Sequence, residues 1–318
     1  MNLVKEIISA KNTIDKYIRE TPIEYSDFLS ELGNCQVFLK LENMQLTGSF
    51  KIRGALNKLL QYQNIKPKPY FITASSGNHG VAFAHAINTL GYEGEIYLPE
   101  NSSKAKINAL KKYKVRINFH GLDCVEAENY ARKVAEKRSS IYVSPYNDIH
   151  IISGQGTIGI ELEGQLEKID SVLVPVGGGG LISGIASYLK SKNEKIEIIG
   201  CQPENSPTMY ESIKANKIVE IVSKPTLSDG SAGGIEQNAI TFDLCKRYVD
   251  DYVIVTEDEI KEAIKIILSK HYMLVEGAAA LPIASYIKQI KKFNKKRVVL
   301  IISGAKIGIE MLKQILCE

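Results

Sequence analysis

Ser171-Val172-Leu173-Val174-Pro175-Val176-Gly177-Gly178-Gly179-Gly180-Leu181-Ile182-Ser183-Gly184-Ile185-Ala186 joins a β-branched run to four adjacent glycines and then to a stretch of small and aliphatic residues. The run reads as a buried strand and the stretch after the glycines as a helix, so the segment is one strand, a tight turn and its following helix. Four successive glycines cost backbone entropy. What they offer is close approach of bare N–H groups to an anion at a helix N-terminus. Gly177, Gly178, Gly179 and Gly180 therefore read as a phosphate cradle, with a plain flexible turn as the alternative.

The same unit recurs on both sides. Tyr70-Phe71-Ile72-Thr73, Glu95-Ile96-Tyr97-Leu98, Val115-Arg116-Ile117-Asn118-Phe119 and Ile141-Tyr142-Val143 read as strands, each separated by one helix's worth of chain, and suit one parallel sheet. Ser171 to Val176, Ile196-Glu197-Ile198-Ile199-Gly200, Tyr252-Val253-Ile254-Val255 and Arg297-Val298-Val299-Leu300-Ile301-Ile302 suit a second. Between the last two, Ile260, Ala263, Ile264, Ile267 and Leu268 have the spacing of a helix with one buried face. The fold class expected is α/β, with two open, mostly parallel twisted sheets flanked by helices. At 318 residues, two domains or one large one are expected.

Composition narrows the function by exclusion. Lys and Arg number 40 against 36 Asp and Glu, a net charge of +4 spread in short runs, which is no nucleic-acid footprint. Met1 to Glu20 carries charges every few positions, and no window holds the ~18 apolar residues of a membrane span. The expectation is a cytoplasmic protein with a small-molecule substrate and no membrane or nucleic-acid partner. Cys35, Cys124, Cys201, Cys245 and Cys317 are odd in number and far apart, which indicates neither a disulfide framework nor a zinc site.

In open parallel sheets ligands sit beyond the carboxyl ends of the strands, and two more loops there are unusual. Ser75-Ser76-Gly77-Asn78-His79-Gly80 supplies hydroxyls, an amide and free N–H groups at a strand-to-helix turn, suited to a carboxylate. An ordinary N-cap turn explains it equally well, and for His79 a structural role is the more natural one. In Thr47-Gly48-Ser49-Phe50-Lys51-Ile52-Arg53-Gly54-Ala55, the apolar positions Ile52, Ala55, Leu56, Leu59 and Leu60 place Lys51 in the first turn of an amphipathic helix. A cation is disfavoured there, so its amine is easier to deprotonate and more nucleophilic; taken alone, the segment fits an ordinary exposed lysine better. A competing reading is dinucleotide binding, with Gly178, Gly180 and Gly184 as the glycines and Glu197 as the ribose partner. That reading needs no lysine. An activatable amine, an anion pocket and a phosphate cradle together are what a pyridoxal phosphate enzyme acting on amino acids requires.

Lys40-Leu41-Glu42-Asn43-Met44-Gln45-Leu46 with Thr47 to Ala55, then Ser75 to Gly80, Gly154-Gln155-Gly156-Thr157, Gly177 to Gly180, Glu276-Gly277-Ala278-Ala279-Ala280 and Ser303-Gly304 occur in the order of a known family. In these motifs the chain resembles the fold-type II pyridoxal phosphate enzymes of the serine/threonine dehydratase and serine racemase family, whose scaffold is tryptophan synthase beta-like. The resemblance runs nearly end to end. It implies that Lys51 holds the cofactor covalently, Phe50 packs beside its ring, Asn78 hydrogen-bonds the ring hydroxyl, and Gly177 to Leu181 bind the phosphate. It puts Ser303 at the pyridine nitrogen, where a neutral partner favours β-elimination over transamination. Ser75, Ser76, Gly77, Asn78 and His79 would hold the substrate carboxylate. Lys51 would remove the Cα proton, and Ser76 would stand as the second acid–base group on the opposite face. The product would be a 2-oxo acid and ammonia from a β-hydroxy L-amino acid. A homodimer is implied, with residues 1–46 and 148–318 as a large cofactor domain and 47–147 as a small mobile one.

The departures are informative. Where the racemase branch places acidic cation ligands, this chain has Gln202 and Thr208, with Glu204 out of register, so no metal is expected there. The closing motif reads Ser303-Gly304-Ala305-Lys306, which introduces a cation, and Leu227-Ser228-Asp229-Gly230-Ser231-Ala232-Gly233-Gly234 is unusually rich in glycine. With about a dozen residues after Lys306, no C-terminal regulatory domain is expected. Amino-acid racemisation, threo-3-hydroxyaspartate as substrate, and a non-catalytic cofactor-binding homologue remain as alternatives.

Overall fold

A computed structural model describes residues 2–317. Among the described residues ten strands form two sheets: β1 (Ile23–Tyr25), β2 (Gln36–Lys40), β3 (Tyr70–Ala74), β4 (Glu93–Leu98), β5 (Arg116–Phe119), β6 (Ile141–Tyr142), β7 (Ser171–Pro175), β8 (Glu197–Pro203), β9 (Asp251–Val255) and β10 (Arg297–Ile301). The smaller sheet has the order β5-β4-β3-β6 and is parallel throughout. The larger has the order β1-β2-β10-β7-β8-β9, parallel except for β1. Both expected sheets are present, and β1 and β2 extend the second.

The large sheet is buried on both faces, as parallel sheets are. Along β10, Val298 and Leu300 pack toward the helices Glu257–His271 and Gly277–Lys288, while Val299 and Ile301 join the cluster under Gly180–Lys192. No helix among the described residues is long and apolar enough to cross a membrane.

Two features fix the helix Lys51–Leu60, and with it the first-turn lysine. A Cβ on Gly154, in the helix Ile149–Gln165, would stand 2.6 Å from the Gly54 Cα, so the two helices approach backbone to backbone. The Gly154-Gln155-Gly156 segment thus has a packing reason, and Gln155 Oε1 also accepts the Gly54 N–H at 3.3 Å. Beneath lies a fully buried ion cluster. Arg53 bonds Glu42 (2.8 Å) and Glu161 (2.6 Å), and Lys40 bonds Glu161 (2.6 Å). Two cations and two carboxylates balance, and Thr21 adds a 2.6 Å hydroxyl bond to Glu42. The cluster ties the Lys51 helix to the end of β2 and to Glu161.

Candidate active site

Lys51 is the first residue of its helix, as the periodicity predicts, and Phe50 before it has no side-chain cap. The Phe50 N–H donates to the Ser303 carbonyl at 3.2 Å, and Ser49 bridges Gly304, so the lysine is held against the end of β10. Lys51 Nζ donates to the Pro145 carbonyl at 2.9 Å. Its pKa is lowered to about 8, chiefly by burial, while Glu276 opposes the shift. Activation of the amine therefore has desolvation as its leading cause, in addition to the helix terminus considered from sequence.

Tyr146, next to Pro145, roofs the glycine turn. A Cβ on Gly178 would run into its ring, and one on Gly180 would stand 3.1 Å from its Cα and Cβ. A Cβ on Gly177 would lie 2.9 Å from the Ser231 carbonyl, and one on Gly179, at φ 86°, 2.8 Å from Met209. Gly177, Gly178 and Gly179 thus leave no room for a side chain, Gly180 is tight, and Gly179 also has a left-handed backbone. The helix Gly180–Lys192 begins there without a side-chain cap, leaving Leu181 and its neighbours in the first turn. A phosphate fits this cradle on backbone N–H groups and the helix terminus.

Gly77 likewise starts the helix Asn78–Leu90 without a side-chain cap, whereas Ser26, Ser103, Asp123 and Asp148 do cap their helices. Ser75 Oγ accepts the Gly77 N–H at 3.2 Å, and Ser75, Ser76 and Gly77 are half-buried. His79 turns inward: Nε2 lies 3.1 Å from both Thr73 Oγ1 and the Val143 carbonyl. Burial and the nearby Lys51 hold its pKa down to about 3. The imidazole is therefore structural, and a substrate would meet only the His79 backbone.

Glu276 is the residue whose role sequence did not supply. Its buried carboxylate accepts from Asn78 Nδ2 at 2.9 and 2.8 Å and from the Lys306 backbone N–H at 3.3 Å. Burial raises its pKa to about 7. Asn78 Oδ1 is buried with no hydrogen-bond partner. An orphaned acceptor beside Lys51, Ser303 and an uncapped glycine cradle fits a bound pyridoxal phosphate, whose ring carries polar groups to satisfy it. Ser303 is buried at the end of β10.

The dinucleotide reading fails on topology. Glu197 opens β8, paired with Ser171 at the start of β7, so it lies at the opposite end of the sheet from the glycine turn. Its carboxylate is engaged by Lys292 at 2.7 Å and Lys296 at 3.3 Å, and Gly184 serves helix packing against Gly156. Gln202 bonds the Val176 carbonyl and the Tyr210 N–H, and Thr208 the Gly233 carbonyl, so both side chains are used within the chain.

The sequence profile of the pyridoxal-phosphate dependent enzymes matches residues 14–304. This chain belongs to that family. It is 37% identical over 316 residues to an L-threonine ammonia-lyase of Thermotoga maritima, covering 99% of this chain and 78% of the relative. Its structure matches the processed threonine deaminase isoform 2 of Solanum lycopersicum with TM-score 0.92 at 30% identity, over 99% of this chain and 87% of that one. It matches serine racemase from Dictyostelium discoideum with TM-score 0.88 at 32% identity, over 96% and 99%. The member described here is a fold-type II pyridoxal phosphate enzyme and a carbon–nitrogen lyase, as its motifs imply.

Proposed function

We propose that the enzyme acts on L-threonine or L-serine, expelling the β-hydroxyl as water, after which hydrolysis of the product releases a 2-oxo acid and ammonia. The observation that carries this is the half-buried amine of Lys51, its pKa lowered to about 8, between the Pro145–Tyr146 segment that roofs the glycine cradle and the Glu276–Asn78 pair. When bound, pyridoxal phosphate supplies an electron sink for the Cα carbanion. Lys51, once neutral, takes the Cα proton. The uncapped N–H groups at Asn78, His79 and Gly80, with Ser75 and Ser76, bind the substrate carboxylate. Ser76 stands as the acid–base group for the opposite face, and Ser303 sits at the ring nitrogen as a neutral partner. The turn Gly177 to Leu181 holds the phosphate, and Phe50 flanks the ring.

The small sheet and its helices, residues 47–147, form a mobile domain over residues 1–46 and 148–318 in this reading. Three contacts join the two parts: Arg132 to Glu236 at 2.5 Å, Asn147 to Glu236 at 2.7 Å and Lys106 to Asp229 at 3.2 Å. A homodimer, carried over from the resemblance of the motifs, and a cytoplasmic location, expected from composition, complete the reading.

The test is the visible spectrum of the purified protein and of Lys51→Ala, followed by 2-oxo acid release from L-threonine, L-serine and L-threo-3-hydroxyaspartate. The wild type is expected to show a cofactor band and to release 2-oxo acid, and the variant to lose both, with activity down by at least ~10²-fold. A band without release from any substrate rejects the lyase reading. Ser76, given by the resemblance as the acid–base group of the opposite face, leaves a second, racemising activity as the alternative, which chiral analysis of residual substrate measures.

A further inference from the structure

We propose that Glu276 is a positioning residue whose charge decides which end of the Asn78 amide meets the cofactor ring. This rests on the cofactor reading of the site. Both Asn78 Nδ2 contacts go to the Glu276 carboxylate, at 2.9 and 2.8 Å, and leave Oδ1 buried and unpartnered. An ionised Glu276 only accepts, so it fixes the amide with NH2 inward and Oδ1 turned to the ligand. A protonated Glu276 has an O–H to donate. Turned over, Asn78 accepts that proton on Oδ1 and offers its NH2 to the ligand instead. The two arrangements have the same shape but present the ring hydroxyl with opposite partners. An acceptor keeps that hydroxyl protonated, whereas a donor favours its phenolate.

The groups around Glu276 set the poise. Asp229, on the 227–230 segment, disfavours its ionisation, whereas the Lys306 ammonium and backbone N–H favour it. Lys51 faces it from the neighbouring helix, and His79, on the Asn78 helix, is turned to Thr73 and Val143 and held neutral. Gly304, across from the carboxylate, has no room for a side chain. With burial included, the balance falls at about 7.

The experiment is a pH titration of the visible spectrum of cofactor-loaded wild type, Glu276→Gln and Lys306→Gln. The wild type is expected to show a spectral inflection near pH 7. Glu276→Gln, which cannot ionise, should lose it. Lys306→Gln should keep it but move it to higher pH, because the carboxylate loses a stabilising cation. An unchanged inflection in Glu276→Gln, or one that vanishes in Lys306→Gln, overturns the proposal. If Glu276→Gln does not fold, the direction of the Lys306→Gln shift decides alone. A wild type with no visible band overturns the proposal together with the cofactor reading. The expected titration without 2-oxo acid release supports it and rejects only the lyase assignment.

Discussion

Lys51 shows how one side chain's chemistry follows from its address. At the first position of a buried helix it has no side-chain cap before it and one carbonyl, that of Pro145, to hold its ammonium. Burial brings its pKa to about 8, so the neutral, nucleophilic fraction rises as pH approaches that value and levels above it. Recombination of cofactor-free protein with pyridoxal phosphate should therefore accelerate about tenfold per pH unit below 8 and plateau beyond, read from the growth of the visible band. Gly179 makes the complementary test. Gly179→Ala places a Cβ at φ 86° against Met209, and about 1–2 kcal/mol of backbone strain predicts a roughly tenfold or greater loss of cofactor affinity by spectral titration. Both residues were legible in the sequence, since glycines and a misplaced lysine each violate a local rule. Glu276 and Asn78 were not legible as a pair. They are 198 residues apart, and nothing local in either marks a carboxylate that accepts twice from one amide.

At the scale of elements, the helix Lys51–Leu60 is aimed by the charges beneath it. Glu161 is pushed up by burial, and Arg53 and Lys40 outweigh this to hold its pKa below the usual carboxylate value. The lowered pKa means that the ionised form stabilises the fold at neutral pH, a contribution lost as pH falls through the lowered value. Glu161→Gln leaves two buried cations short of a partner and should cost about 3–5 kcal/mol in denaturant unfolding. Most strands of this fold were legible because β-branched runs alternate with helical spacing. β1 and β2 were not. β1 has three residues, and β2 ends on Lys40, a charge that reads as surface although it is wholly buried by pairing with Glu161. Arg53 hides in the same way inside an otherwise apolar face.

Across the whole molecule, the two sheets face the site from the carboxyl ends of their strands, and ion pairs and hydrogen bonds run between them. Arg132 reaches Glu236 at 2.5 Å, while the Glu236 N–H donates to Tyr146 Oη at 2.9 Å, so one residue links the small sheet's helix to the roof of the glycine cradle. The pair is partly solvated, which limits its worth to about 1 kcal/mol or less. Arg132→Ala should accordingly raise KM about two- to fivefold with kcat little changed, in steady-state assays of 2-oxo acid release. Strand order was the part of the architecture that local patterns do not carry. Runs of similar composition give no sign that β10 lies between β2 and β7.

That insertion bears on how the protein is made. A ribosome delivers the chain from its N-terminus, and domains tend to fold as they emerge. The small sheet has all its strands once Tyr142 has left the exit tunnel, but the large sheet lacks a central strand until Ile301 has done so. Until then β2 and β7 have no shared neighbour, and Phe50 lacks the Ser303 carbonyl that seats the lysine beside it. The nascent chain thus holds a formed half and an open sheet until Ile301 has emerged, and Lys51 gains its seat against Ser303 only then.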